Sequence, residues 1–219
     1  MKVGILFDLD GTLLETLQDL ADSVNYALRQ HGCPERSLEQ VRQAVGNGTR
    51  RLIAESLPGT ETDPPVDAVL ETYLGWYAGH CQVKTRPYGG IPEALEQLRG
   101  KYPVGIVSNK PDKTVKLLCR EHFGDVYALG ELADCPRKPA PDMVRRAMEQ
   151  LGVDRCVYVG DTEVDVLTAQ NAGVPCLCVL WGFRDREQIE AAGGKLFCDD
   201  PKKLPEMLTG MLEGLSAEN

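Results

Sequence analysis

Two aspartates one residue apart close an apolar run near the start of the chain. "ILFDLDGT" sets Asp8 and Asp10 directly before Gly11 and Thr12. At about 4 Å and an effective dielectric near 20, two carboxylates at the mouth of a buried strand repel by an order of 4 kcal/mol. Such a pair calls for a cation beside it, or for one carboxyl to hold a proton. Two further stretches have the same form, an apolar run ending in polar groups. "PVGIVSNK" ends in Ser108, Asn109 and Lys110, and "CVYVGDTEVD" ends in Asp161, Thr162 and Asp165. Between them "RKPAPD" carries Lys138 before a proline.

Brought to one spot, these groups would set four carboxylates, a hydroxyl and one or two lysines side by side. Converging carboxylates make a hard oxygen site of the kind Mg²⁺ occupies. An ionised aspartate beside such a cation can attack phosphorus. A second aspartate can give a proton to a leaving oxygen and later take one from water. Ser108 and amides at a helix start can hold phosphoryl oxygens, and Lys138 can offset charge that develops in transfer. Singly, each signature has an ordinary reading: a turn for Asp-x-Asp-Gly, a helix cap for Ser108–Asn109, a capped helix start for "GDTEVD", a surface loop for Lys138. Their joint occurrence, in this order and each at a strand end, favours the chemical reading.

The elements that must position them follow from periodicity. Strands are expected over 3–8, "PVGIVSN", "CVYVGD", "PCLCVLW" and "KLFCDD", alternating with amphipathic helices. That alternation predicts an α/β fold, a doubly wound, Rossmann-like parallel sheet with helices on both faces. Ligands of such sheets sit at the carboxyl ends of strands. Residues 17 to about 82 show no strand. Leu17, Leu20, Ala21, Val24, Ala27 and Leu28 share one helical face, "SLEQ" at 37–40 forms a capping box, and "TRRLIAESL" and "DPPVDAVLETYLGWYAGH" give two more helices. The block reads as an all-helical insertion after the first strand. It divides the chain into a core of residues 1–14 and 85–219 and a lid of residues 15–84.

At these residues the chain resembles the haloacid dehalogenase superfamily in its phosphatase branch. "DLDGT", "SNK", "KPAPD" and "GDTEVD" match that family's four motifs in order, and the likeness covers nearly the whole chain, including the position of the helical cap. The resemblance implies that Asp8 is the nucleophile that forms an aspartyl-phosphate. It implies that Asp10 is the acid/base, with its backbone carbonyl a Mg²⁺ ligand. Thr12 and Ser108, with the amide at Asn109, would contact the phosphoryl group, and Lys138 would bridge Asp8 and phosphate. Asp161 would bind Mg²⁺ directly, and Asp165 directly or through water. Glu15–Thr16 departs from the Asp–Ser common in relatives, at the hinge into the cap. The namesake dehalogenases lack the second aspartate, so Asp10 points to phosphoryl transfer.

"VGNGTRRLIAESL" looks like the cap segment of phosphoglycolate phosphatases, which makes 2-phosphoglycolate the best single substrate expected. Gly46 and Gly48 would lower a loop toward the site, or they only end one helix before Thr49 caps the next. Arg50 and Arg51 are candidates to meet a substrate carboxylate, although one of an adjacent pair must point away. Pyrophosphatases, sugar-phosphate phosphatases and phosphomutases share such a core. A receiver-type signalling domain or a non-catalytic phosphate-binding protein is the rival from another class. Receivers are shorter and lack the second aspartate, and a non-catalytic relative would be expected to have lost Asp8 or Asp10.

With a formal net charge of −9 over 219 residues, the chain is not expected to bind nucleic acid or an anionic membrane surface. A small phosphorylated metabolite remains suited to it, because a few local cations can dominate one pocket. The amino end does not read as a signal peptide, and no run reaches the roughly 18 apolar residues of a membrane span. Eight scattered cysteines with no Cys-x-x-Cys are expected as reduced, mostly buried thiols in a cytoplasmic monomer or homodimer, with Cys176 and Cys178 on one strand face.

Overall fold

The apolar run at the amino end becomes β1 (Val3–Phe7), the inner strand of a six-stranded sheet, in a computed structural model that describes residues 1–217. A two-residue strand, β2 (Leu14–Glu15), leads into four helices: α1 (Leu17–Gln30), α2 (Leu38–Ala44), α3 (Thr49–Ser56) and α4 (Val66–His80). β3 (Arg86–Pro87) then returns antiparallel to β2. The rest alternates: α5 (Ile91–Arg99), β4 (Val104–Pro111), α6 (Asp112–Phe123), β5 (Tyr127–Glu131), α7 (Asp142–Leu151), β6 (Arg155–Gly160), α8 (Glu163–Ala172), β7 (Cys176–Val179), α9 (Arg186–Ala191), β8 (Leu196–Cys198) and α10 (Leu204–Ala217).

The sheet order is β5-β4-β1-β6-β7-β8, with every neighbouring pair parallel. From β1 the chain winds first to β4 and β5 on one side, then to β6, β7 and β8 on the other. β1 therefore lies at the topological switch, where strand ends splay and a ligand crevice opens. Side chains alternate faces along β1. Ile5 and Phe7 pack with Leu95 of α5, Val115 of α6 and Leu208 of α10, while Leu6 packs with Met143 and Val144 of α7.

The helical block forms because each helix buries one stripe. Val24 and Leu28 of α1, Val41 of α2, Ile53 of α3 and Tyr73 of α4 are all fully or nearly fully buried. The capping box predicted from "SLEQ" is present: Gln40 N–H donates to Ser37 Oγ and Ser37 N–H to Gln40 Oε1. The two connections to the sheet are tied to each other. Leu14 pairs with Pro87 and Glu15 with Arg86, whose side chains form an ion pair at 2.6 Å. The buried carboxylate of Asp19 accepts from the N–H groups of Lys84 and Thr85. β2, β3 and β5 are the strands the sequence pattern did not announce. All eight cysteines are free, and the Cys176 and Cys178 sulfurs lie 3.9 Å apart.

Candidate active site

The first aspartate is fixed by backbone before any side chain acts. Asp8 N–H donates to the Val159 carbonyl at 2.8 Å, which continues the pairing of β1 with β6 past the last strand residue. Its Oδ1 accepts from Leu9 N–H at 2.7 Å and pairs with Lys138 Nζ at 2.9 Å. Among the described residues Oδ2 is left uncommitted. Gly11 then turns the chain back with φ 83°, and a Cβ there would overlap the Asp161 carboxylate. Only glycine allows both the turn and the close approach.

Asp161 leaves β6 fully buried. Its Oδ1 accepts from the Thr12 hydroxyl and its Oδ2 from Phe183 N–H, both at 2.8 Å. Asp165, in the first turn of α8, serves two partners. Its Oδ2 accepts from the N–H groups of Asp161 and Thr162 and from the Thr162 hydroxyl. Its Oδ1 accepts from Lys138 Nζ at 2.8 Å and from the Tyr158 hydroxyl at 3.3 Å. Asp8, Asp161 and Asp165 each bring one oxygen into a group whose members all lie within 4.8 Å of one another.

Three buried carboxylates face one ammonium, so negative charge is in excess. Burial lifts the Asp8 carboxyl to about 7 against the pull of Lys138, with Asp165 and Asp10 pushing the same way as burial. Burial, Asp165 and Asp8 also hold the Asp161 carboxyl well above the usual carboxylate range. Burial works against the Lys138 ammonium, but Asp165 and Asp8 outweigh it and keep its pKa raised. A set of hard oxygens that ionises at such cost fits a small divalent cation, whose charge would remove the repulsion.

The structure brings most of the expected residues to one cavity of about 50 Å³, walled by Asp8, Asp10, Ser108, Asn109, Lys138 and Gly48 among others. Several stand differently from the expectation. The Thr12 hydroxyl is spent on Asp161 and does not face the cavity. The Asn109 side chain clasps the Lys138 backbone at both its N–H and its carbonyl and donates to the Gly46 carbonyl at 3.1 Å. It joins the core to the 45–48 loop, and both N–H groups of its side-chain amide are spent there. Arg50 is exposed on α3, paired with Asp67 at 3.1 Å, and Arg51 pairs with Glu55 one helical turn on. Neither arginine lines the cavity, because α3 turns Leu52, not its arginines, toward it.

Tyr73, Tyr77 and Arg184 escaped the sequence reading, and Lys110, placed there at a strand end, carried no role of its own. Lys110, two residues past Ser108 and so on the same side of the strand end, reaches Asp10 Oδ1 at 2.9 Å and donates to the Tyr77 hydroxyl at 2.5 Å. Tyr73 and Tyr77, four apart on one face of α4, roof the cavity with Leu20 and Leu52. Their spacing was the available signal. Arg184, in the turn after β7, is buried and donates to the carbonyls of Arg42, Gln43 and Val45 at the end of α2. Glu163 of α8 pairs with it at 2.8 Å.

Residues 5–179 match the family model described as haloacid dehalogenase-like hydrolase. The chain is 32% identical over 216 residues to an N-acetylmuramic acid 6-phosphate phosphatase of Pseudomonas aeruginosa, a match that spans 94% of each protein. It is 34% identical over 218 residues to a phosphoglycolate phosphatase of Rhodobacter capsulatus, spanning 96% of this chain and 98% of that one. The crystal structure of a protein from Lactobacillus delbrueckii subsp. bulgaricus, provisionally called a phosphoglycolate phosphatase, superposes with a TM-score of 0.85 at 36% identity. That match covers 94% of this chain and 97% of the other. The chain therefore belongs to the haloacid dehalogenase-like hydrolase family, in its phosphoglycolate phosphatase-like branch.

Proposed function

We propose that the protein is a Mg²⁺-dependent phosphatase that hydrolyses a small phosphate monoester through an aspartyl-phosphate on Asp8. The observation that carries this reading is the state of the Asp8 carboxylate. One oxygen is pinned by Leu9 N–H and Lys138, and the other is uncommitted at the cavity with Asp10 beside it. In the first half-reaction Asp8 Oδ2 bonds to phosphorus, the P–O ester bond breaks, and Asp10 gives its proton to the leaving oxygen. In the second, Asp10 takes a proton from water, the water oxygen bonds to phosphorus, and the acyl phosphate bond to Asp8 breaks. Ser108 borders the cavity and supplies a donor for phosphoryl oxygen, and Lys138 holds Asp8 in line. Asp8, the Asp10 carbonyl and Asp161 would hold Mg²⁺, with Asp165 behind them. Bound there, Mg²⁺ supplies positive charge to the carboxylates and to the phosphoryl oxygens.

Residues 15–84 act as a lid on a core of residues 1–14 and 85–219 in this reading. The free cysteines suit a reducing cytoplasm, and among the described residues no helix is long and apolar enough to cross a membrane. 2-Phosphoglycolate is the favoured substrate. The cavity is small, about 50 Å³, which suits a short leaving group better than a sugar ring. The relative named for N-acetylmuramic acid 6-phosphate supports a second, larger substrate that would need the lid open. Phosphate release from both esters and from an aryl phosphate, with Mg²⁺ and with excess EDTA, tests the reading. Undiminished release in EDTA, with metal content measured as nil, would end the metal assignment.

A further inference from the structure

Lys110 occupies a place that the reaction scheme leaves without a role. Its ammonium is buried between Asp10 Oδ1, at 2.9 Å, and the hydroxyl of Tyr77 from the roof, at 2.5 Å. The lid's other side chains at the cavity, Leu20, Val45, Thr49, Leu52 and Tyr73, carry no charge. The cations of the lid are all engaged elsewhere. Arg29 pairs with Glu35, Arg42 with Glu39, Arg50 with Asp67, Arg51 with Glu55 and Lys84 with Asp22, while Arg36 donates to the Ser56 carbonyl. Of the two lysines at the cavity, Lys138 is shared by Asp8 and Asp165, deep on the core side. Lys110 faces one carboxylate and touches the lid.

A leaving group must lie between Asp10 and the roof. To receive a proton from Asp10, its ester oxygen must come within about 2.6–3.2 Å of that carboxyl. Lys110 Nζ is itself 2.9 Å from Asp10, so the ester oxygen and the ammonium lie within about 6 Å of each other. A carboxylate two bonds beyond the ester oxygen falls in direct reach of Nζ. In an enclosure with an uncharged roof, one ammonium outweighs many distant charges.

We propose that Lys110 is the specificity-determining residue of this site, and that the substrates it selects are small phosphate esters carrying a carboxylate on the same carbon as the ester oxygen. The proposal rests on the phosphatase reading above. Tyr77 orients the ammonium from the lid, so the carboxylate is recognised only where roof and core meet. The substrate carboxylate becomes a second partner for Lys110, beside Asp10.

The test compares 2-phosphoglycolate with 2-hydroxyethyl phosphate, the neutral ester in which CH₂OH replaces the carboxylate. Wild-type kcat/KM should favour the acid by roughly tenfold or more, the size of a charge-assisted contact. Lys110→Met keeps the stem and removes the charge, and the preference should fall to within about threefold of unity. Because the readout is a ratio within one preparation, incomplete folding of the variant cancels. Tyr77→Phe, which leaves the charge in place, should lower the same ratio partway. Glycolate should compete with the neutral ester in the wild type and lose about tenfold or more in potency against Lys110→Met. A wild type without preference, or a ratio unchanged in Lys110→Met, overturns the role of Lys110 while the phosphatase reading stands. Absence of phosphate release from both esters and from an aryl phosphate would instead overturn the phosphatase reading.

Discussion

The guanidinium of Arg184, in the turn after β7, donates to the carbonyl of Val45 at 2.9 Å, one residue before Gly46. The same guanidinium takes the carbonyls of Arg42 and Gln43, so a core arginine satisfies the free carbonyl end of a lid helix. Asn109 holds the next carbonyl, that of Gly46, from the other side. The loop that borders the cavity is therefore clasped by two core residues. Arg184→Ala should lower stability by about 2–3 kcal/mol, since it strands buried carbonyls and Glu163. It should also speed hydrogen exchange across residues 42–48 well beyond the rest of the chain. Urea titration and exchange mass spectrometry check both, and protection unchanged at 42–48 would show that Arg184 does not hold the loop.

Asp8→Asn removes the nucleophile and also a charge that burial disfavours. Turnover should fall by at least about a thousandfold. Yet the variant should be no less stable than the wild type at neutral pH without metal, because the amide lacks the ionisation that burial opposes. Asp10→Asn should lose turnover comparably while still accepting a beryllium fluoride adduct at Asp8. A Lys138→Met variant should do worse in stability than either, since Asp8 and Asp165 both lose their partner in a buried setting. Melting curves beside initial rates separate these outcomes.

The raised Asp8 carboxyl links metal, proton and stability. In the unfolded chain this group ionises near 3.8, and in the folded protein at about 7. Between those values the folded state holds the extra proton, so without metal the contribution of Asp8 to stability falls as pH rises through this window. A divalent cation competes with that proton. Its affinity should therefore weaken by up to about tenfold for each pH unit below about 7. The rise in Tm produced by Mg²⁺ should be larger near pH 8 than near pH 6. A rise that is the same at both would mean that Asp8 does not ionise as metal binds.

How much of this was legible beforehand depends on where each interaction is encoded. The strands that end in Asp8, Ser108 and Asp161 carry their own apolar runs, so their motifs could be located by local pattern. "SLEQ" encodes its helix start within four residues and formed as expected. β5 failed this test because it is a short edge strand with a glycine and a half-exposed tyrosine, and its pairing to β4 across an irregular register supplies what its sequence lacks. Arg50 was misplaced because position on a helix face, and the competing carboxylate of Asp67, follow from packing and not from spacing to the glycines. Lys110 and Arg184 take their meaning from partners far along the chain, Tyr77 and Val45, which no local pattern brings together.

Arg50 and Asp67 are both exposed, and such a pair contributes about 0–1 kcal/mol. Arg50→Ala should change Tm by no more than a few degrees and should alter kcat/KM for 2-phosphoglycolate and for an aryl phosphate by less than about threefold each. Steady-state kinetics on the two esters are sufficient. A loss confined to the acid ester would show that α3 turns in the substrate complex and brings Arg50 to the cavity.

The last prediction concerns how substrate enters. Leu20, Leu52, Tyr73 and Tyr77 of the lid wall the same cavity as Asp8 and Asp10, so movement of the lid widens or narrows the path of a phosphate ester to Asp8. The two connections between helices and sheet are the β2–β3 ribbon, tied by the Glu15–Arg86 pair and by Asp19 to Lys84 and Thr85. A ribbon of two short paired strands bends as one strap, whereas two independent linkers would let the helices wander. The polar contacts that must break to open include Arg184 to the end of α2, Gln188 to Gln43, Asn109 to Gly46, and Lys110 to Tyr77. We expect rotation of residues 17–80 about that strap, with an opened population in the free enzyme and a closed one with Mg²⁺ and a phosphate analogue. Closure would shield an aspartyl-phosphate from stray water until Asp10 activates one. Small-angle scattering should give a smaller radius of gyration with the analogue bound, and hydrogen exchange should slow across residues 45–51. If neither changes at saturating analogue, the roof is a fixed wall and substrate must enter by a path that spares these contacts.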